Sequence, residues 1–254
     1  MSVYEIYFSP TGGTKKAADI LAGVFSDEAE TIDLCEYEKK FEDCILNEKD
    51  VCIIAVPSFG GRVPVTAVER IKRLNGNGAY AVAVAVYGNR AYDDTLLELT
   101  ETAEKAGFKC IAAVTSVAEH SIMRQFASGR PDKEDEIELK AFAEKIKEKL
   151  ASEKMKGKLE VPGNKPYVEY NGVPFKPKGS GDCIKCGLCA AMCPVNAIPD
   201  NNLAETDVDI CISCMRCVYI CPKNARALNP EMLAAVAKKM EKAFEGRKKN
   251  ELFI

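Results

Sequence analysis

The chain contains no tryptophan and a single histidine, His120. One imidazole cannot build a histidine-rich metal site, so any bound metal must rest on other side chains. Long apolar runs are missing as well. The longest, AYAVAVAVY at 79–87, is far short of the roughly twenty residues a membrane-spanning helix needs. Basic excess is absent: 35 Lys and Arg face 38 Asp and Glu, for a net charge of −3, which argues against a general nucleic-acid binder. The opening MSVYEIYFSP has no basic stretch followed by a long apolar one, so no secretory leader is expected and a cytoplasmic location is.

Cysteine, by contrast, is abundant, at twelve in 254 residues. A disulfide scaffold would be short and led by a signal, so clustered cysteines here point to metal. Eight of them lie in CIKCGLCAAMCP at 183–194 and CISCMRCVYICP at 211–222. The other four, Cys35, Cys44, Cys52 and Cys110, sit mostly among apolar residues and read as small buried hydrophobes.

The length suits one large domain or two ordinary ones, and 47% apolar residues suffice for a core. Residues 1–156 read as strands alternating with helices. Strands are expected at 3–9, 29–34, 50–58, 79–88 and 108–118, and helices at 14–25, 63–74, 92–107 and 132–154. DVCIIAVPS and AYAVAVAVYG are near-continuous apolar runs, as strands buried on both faces require. Gly107 should close the third helix, and Asp132 should cap the fourth. The pattern predicts an α/β fold: an open five-stranded parallel sheet with helices on both faces. Residues 157–179, rich in proline and without sustained period, read as a connection; Tyr167, Tyr170 and Phe175 suggest that the segment packs on something. Residues 180–228 form the cysteine module, small and α+β, and 229–254 a C-terminal helix and tail. That helix carries Met232, Leu233, Val236, Met240 and Phe244 on one face, a stripe suited to covering a neighbouring surface.

Both cysteine phrases have the spacing C-x2-C-x2-C-x3-C-P and recur with an offset of 211 − 183 = 28 residues. Three thiolates in a tight loop can hold three corners of a cubane, and the fourth must come from elsewhere. Zinc modules combine well-separated ligand pairs, often with histidine, and neither feature is present; thiolate softness alone does not separate the two metals. The stretch resembles the bacterial two-cluster ferredoxins, in which the last cysteine of each run serves the other cluster. The resemblance implies two [4Fe–4S] clusters. Cys183, Cys186, Cys189 and Cys221 would hold one, and Cys211, Cys214, Cys217 and Cys193 the other.

The first strand ends in SPTGGT at 9–14, and a helix follows at once. Glycines and hydroxyls there allow N–H groups to meet an anion at the helix N-terminus, although this turn is neither a Walker A loop nor G-x-G-x-x-G. It fits the flavodoxin pattern [ST]-x-T-G-x-T, and residues 1–155 resemble a flavodoxin-like domain. The resemblance implies FMN, its phosphate held by Ser9, Thr11, Gly12, Gly13 and Thr14. The ring would lie beside the loops after strands three and four. Those loops offer Pro57, Ser58, Phe59, Gly60 and Gly61, and then Tyr87, Gly88, Asn89, Arg90 and Tyr92. Phe59 and Tyr87, or Tyr92, are the candidates to stack on the ring; typical flavodoxins use a tryptophan, which this chain lacks. After strand five, His120, Arg124 and Arg130 are placed to approach the flavin rim or an interdomain contact, with a plain loop role as the alternative.

Together the two halves resemble EFR1-type flavodoxin–ferredoxin fusion proteins of anaerobes. The resemblance implies electron transfer between two clusters and FMN, coupling one-electron and two-electron chemistry, as an oxidoreductase acting on a partner or small substrate. The alternative is a pure carrier docking between redox enzymes. Expected partners are redox proteins, with no nucleic acid and no membrane span, and transfer runs within one chain or across a homodimer.

Overall fold

The computed structural model describes residues 1–152, 157 and 159–254. It begins β1 (Val3–Tyr7), α1 (Gly13–Ala22), β2 (Glu30–Asp33), β3 (Val51–Pro57), α2 (Val65–Arg73), β4 (Tyr80–Tyr87), α3 (Thr95–Lys105), β5 (Lys109–Val117) and α4 (Lys133–Ala151). It continues with β6 (Lys178–Gly179), α5 (Leu188–Ala191), α6 (Arg216–Tyr219), β7 (Arg226–Ala227), α7 (Pro230–Met240) and β8 (Glu251–Phe253). The helix expected over 132–154 is seen to Ala151; residues 153 and 154 lie outside the described residues.

The main sheet has the order β2-β1-β3-β4-β5-β8. Its first five strands are parallel, and 2-1-3-4-5 is the flavodoxin-like order, with the switch point between β1 and β3. Helices α2 and α3 cover one face, and α1 and α4 the other. In β4 the alternation is complete: Ala81, Ala83 and Ala85 face α2 and α3, while Val82, Val84 and Val86 face α1 and α4. Such a strand has no solvent face, which is why its sequence is apolar throughout.

Helix ends follow local chemistry. Gly107 adopts φ 89, the Gly107 N–H donates to the Glu104 carbonyl and the Phe108 N–H to that of Ala103. This Schellman closure needs the left-handed conformation that glycine supplies cheaply. The Asp132 carboxylate accepts from the Glu134 and Asp135 N–H groups, and Asp135 returns the bond to the Asp132 N–H at 2.9 Å, a capping box.

Two features go beyond the sequence reading. The sheet gains a sixth strand, β8, antiparallel to β5. The tail is drawn there by Asn250, whose side-chain Oδ1 accepts from the Val117 N–H at 2.8 Å, and by Arg130, which donates to the Lys248 carbonyl at 2.9 Å. The connection is no free spacer either. Asp94 accepts the N–H groups of Asn164 and Val168 at 2.7 and 2.6 Å, Tyr167 donates to Glu101 at 2.6 Å, and Leu159 and Val161 pack on the α2–α3 side.

The cysteine half is built differently. Its only strands are the two-residue pair β6 and β7. Arg226, 2% exposed, donates to the carbonyls of Pro177, Leu203 and Glu205 and to the Thr206 hydroxyl, so one guanidinium ties the loops together. No described helix is long and apolar enough to cross a membrane.

Candidate functional site

The sequence repeat is also a repeat of backbone shape. Lys185 and Ser213, Gly187 and Met215, and Asn196 and Asn224 are pairs at the same offset, and all six have positive φ. Left-handed turns at Asn196 and Asn224 bring the following alanine N–H groups onto sulfur. Ala197 donates to Cys193 Sγ at 3.3 Å and Ala225 to Cys221 Sγ at 3.2 Å. Ser213 donates to Cys211 Sγ at 3.4 Å. At Cys221 burial opposes ionisation, but the N–H donors aimed at sulfur outweigh it and lower the thiol below its ordinary value.

The eight cysteines gather in two groups. Cys183, Cys186, Cys189 and Cys221 line one small cavity; Cys193, Cys211, Cys214 and Cys217 line another. Among the described residues, no three Cys, His, Asp or Glu side chains converge closely enough to hold a single ion. Each cavity also has one arginine in its wall, Arg226 in the first and Arg216 in the second, and in both the Nε atom is buried without a partner. An unpartnered buried guanidinium N–H is costly unless an anion meets it, and a thiolate-ligated iron–sulfur cluster is one. The residues therefore fit the cluster. Burial pushes the thiols of Cys214 and Cys217 up to about 12 and about 11, so they release their protons readily only to a metal. The four scattered cysteines lie in or against the α2–α3 core, and burial raises Cys52 and Cys110 to about 12.

A larger cavity, about 220 Å³, opens at the C-terminal ends of β1, β3 and β4. The SPTGGT turn forms one end. Gly12 takes φ 87 at the N-cap of α1 and has no side chain to cap it; Ser9 Oγ instead accepts the Lys15 N–H of the first turn at 2.9 Å. Thr11, Gly13 and Thr14 line the cavity; Ser9 and Gly12 shape the turn behind them. From β3 come Pro57, Ser58, Phe59, Gly60 and Gly61. Side-chain bulk is forbidden at Gly60: a Cβ there would stand 2.2 Å from the Tyr170 ring. From β4 come Tyr87, Gly88 and Arg90.

Not every expected residue is at the cavity. Asn89 donates to the carbonyls of Phe244 and Gly246 at 2.7 and 2.8 Å, and so anchors the tail. Tyr92 donates to Glu251 at 2.7 Å and meets Tyr87 edge to face. Arg124 pairs with Glu119 at the surface, and Arg130 makes a buried pair with Asp135, so neither lines the cavity. His120 does. Its Nδ1 accepts the N–H groups of Ile122 and Met123, both at 3.1 Å, which leaves the ring proton on Nε2. Burial, with Arg90 nearby, pushes the imidazole down to about 4, so it is neutral at pH 7.

The sequence reading missed the cavity's roof. Tyr170, Val173 and Phe175 reach it from the connection, and Ser213 from the second cysteine run. Leu233, Val236, Met240 and Phe244 reach it from α7 and the turn after it, and pack there on Met123; Met232 of the same stripe is instead 50% exposed. The aromatic residues of the connection and the apolar stripe were the available signals; nothing local marked Ser213.

Residues 168–226 match the family described as a 4Fe-4S dicluster domain. Among solved structures, similar chains include a Streptococcus pneumoniae flavodoxin, with 19% identity, 59% of this chain and 99% of that one covered, and a TM-score of 0.42. A Fusobacterium nucleatum flavodoxin bound to flavin mononucleotide has 18% identity, 62% and 100% coverage, and a TM-score of 0.38. The rubredoxin oxygen:oxidoreductase of Desulfovibrio gigas has 18% identity over 59% of this chain and 37% of that one, with a TM-score of 0.42. No curated protein matches the chain. By strand order in one half and by this match in the other, the chain joins a flavodoxin-like α/β fold to a 4Fe-4S dicluster domain.

Proposed function

We propose that the chain transfers electrons between FMN in the large cavity and two [4Fe–4S] clusters, one at each group of four cysteines. A cluster carries one electron and a flavin one or two, so their union interconverts one-electron and two-electron chemistry. The observation that carries this reading is Ser213. It lines the large cavity, while its neighbours Cys211, Ile212 and Cys214 line the second cysteine cavity, so one loop contributes to both sites.

The protein's own part is to bind, orient and exclude water. Thr11, Gly13 and Thr14 offer hydroxyl and N–H donors to a phosphate at the start of α1, where the helix dipole adds to the attraction. Phe59 and Tyr87 line the cavity with aromatic side chains that would pack on the ring, and the Gly60–Gly61 backbone would be open to its edge. His120 presents a neutral N–H donor. At the cysteines, Arg216 and Arg226 offset negative charge, and the N–H groups of Ala197, Ala225 and Ser213 tune sulfur basicity. The apolar roof favours a closed oxidoreductase site, fed through the cysteine half, over a carrier with an open flavin edge. We take the domain limits as 1–156, 157–179 and 180–228, with 229–254 as helix and tail. The partners are redox proteins that dock at the cysteine half.

The test is anaerobic. Reconstituted protein should be yellow, and a low-potential one-electron donor protein should bleach it. Cys214→Ser should slow that bleaching strongly when both proteins are compared at saturating FMN. Equal rates in the two proteins would overturn the reading.

A further inference from the structure

The large cavity is not finished by the flavodoxin-like half. Ser213 is 3% exposed and sits at φ 55, a conformation non-glycine residues seldom take. Its hydroxyl donates to the Phe175 carbonyl at 2.7 Å. Lys176 then donates to the Cys211 carbonyl at 2.5 Å and to Ser213 Oγ at 3.1 Å. The loop bearing Cys211 and Cys214 and the segment bearing Val173 and Phe175 are thus one hydrogen-bonded unit, and three of its residues wall the cavity.

A second contact is independent of the first. Tyr219 lies between Cys217 and Cys221, and its hydroxyl is 3.5 Å from where a Cβ on Gly12 would stand. Helix α6, which carries Tyr219, has four residues and buries none of them. Packing alone cannot hold so short a helix, so its position depends on the cysteines within and beside it.

We propose that the second cysteine group and the large cavity are thermodynamically linked. Filling the Cys193–Cys211–Cys214–Cys217 site orders the Ser213 loop and Tyr219, and thereby tightens FMN binding. Linkage is reciprocal, so FMN strengthens equilibrium iron binding at that site by the same factor. The physical origin is ordering entropy: a wall already fixed by metal need not be fixed again by the flavin. Tyr219 stands against Gly12 in the turn behind the phosphate end, and Ser213 lines the side wall. The inference rests on the reading of this cavity as the FMN site.

Full-length protein is titrated anaerobically with FMN and with riboflavin, following flavin fluorescence, in iron-loaded and chelator-stripped forms. The expected result is FMN binding about tenfold tighter in the loaded form, within the usual range of coupling between sites. Equal affinity in both forms overturns the linkage and leaves the FMN reading intact; no binding in either form overturns both. Tyr219→Phe, with iron content unchanged, separates this from general unfolding. It should weaken FMN several-fold and leave riboflavin untouched. Loss of both alike, or of neither, overturns the phosphate-end contact. In the reciprocal arm, more chelator should be needed to strip half of that site's iron at equilibrium when FMN is present, and an unchanged midpoint overturns the linkage.

Discussion

The two halves of the chain solve the same problem with different materials. The sheet half buries side chains such as Ile6, Phe8, Ile53, Ile54, Leu96 and Leu139 completely, on both faces of its strands. In the cysteine half the buried apolar residues are Ala190, Ala197, Ile198, Met215 and Ala225, together with Cys214. Burial at roughly 25 cal/mol per Å² can sustain the first and falls well short for the second. What the cysteine half has instead is a buried guanidinium, hydrogen bonds to sulfur and two cysteine-lined cavities. One half should therefore hold itself together, and the other should need what it binds.

The largest test of that contrast is removal of iron. Chelation should abolish amide protection from 180 to 228 and leave the sheet strands protected, as read by hydrogen exchange. Protection lost or kept in both halves together would erase the distinction. Arg226→Met comes next. It strands the carbonyls of Pro177, Leu203 and Glu205, and should cost the cysteine half about 3 kcal/mol in opening free energy, with sheet protection unchanged. A smaller effect is expected where the halves meet. Arg70, on α2, donates to the Leu34 carbonyl at 2.5 Å and to the Pro194 carbonyl at 2.6 Å. Arg70→Met should loosen the docking by about 2 kcal/mol, seen as faster proteolysis of the connection with both halves still folded.

The smallest effect belongs to the sheet half alone. Burial, reinforced by a hydrogen bond with Asp19, raises Glu5 to about 7 from 4.5. A carboxyl whose folded pKa is raised binds its proton more tightly when folded. Its contribution is full below about 4.5 and is lost as pH rises through about 7. Glu5→Gln should flatten that slope and stabilise the sheet half by about 1 kcal/mol at pH 8, measured by denaturant melts. An unchanged pH slope would show that Glu5 is not the group responsible.

Legibility in the sequence divides along the same line. Apolar runs such as VCIIAVP and YAVAVAVY announce buried parallel strands because burial on both faces leaves no room for polar residues. The tight cysteine spacing announces a cluster loop because the ligands are local. Strand β8 was illegible: three residues in a charged tail have no period, and their place is set by Asn250 meeting Val117 across 133 positions. Asn89 read as a cavity residue because its loop is right, yet its left-handed backbone and the tail carbonyls turn its amide elsewhere. Ser213 was hidden for a related reason, since only the fold brings its cysteine loop to a cavity built on a turn about 200 residues earlier in the chain.

The central claim is that one chain carries a flavin and two clusters in sites joined by one loop, and cofactor stoichiometry tests it most directly. Anaerobically reconstituted protein should hold about eight irons and about one FMN per chain. About four irons, zinc in place of iron, or no extractable FMN would contradict the account.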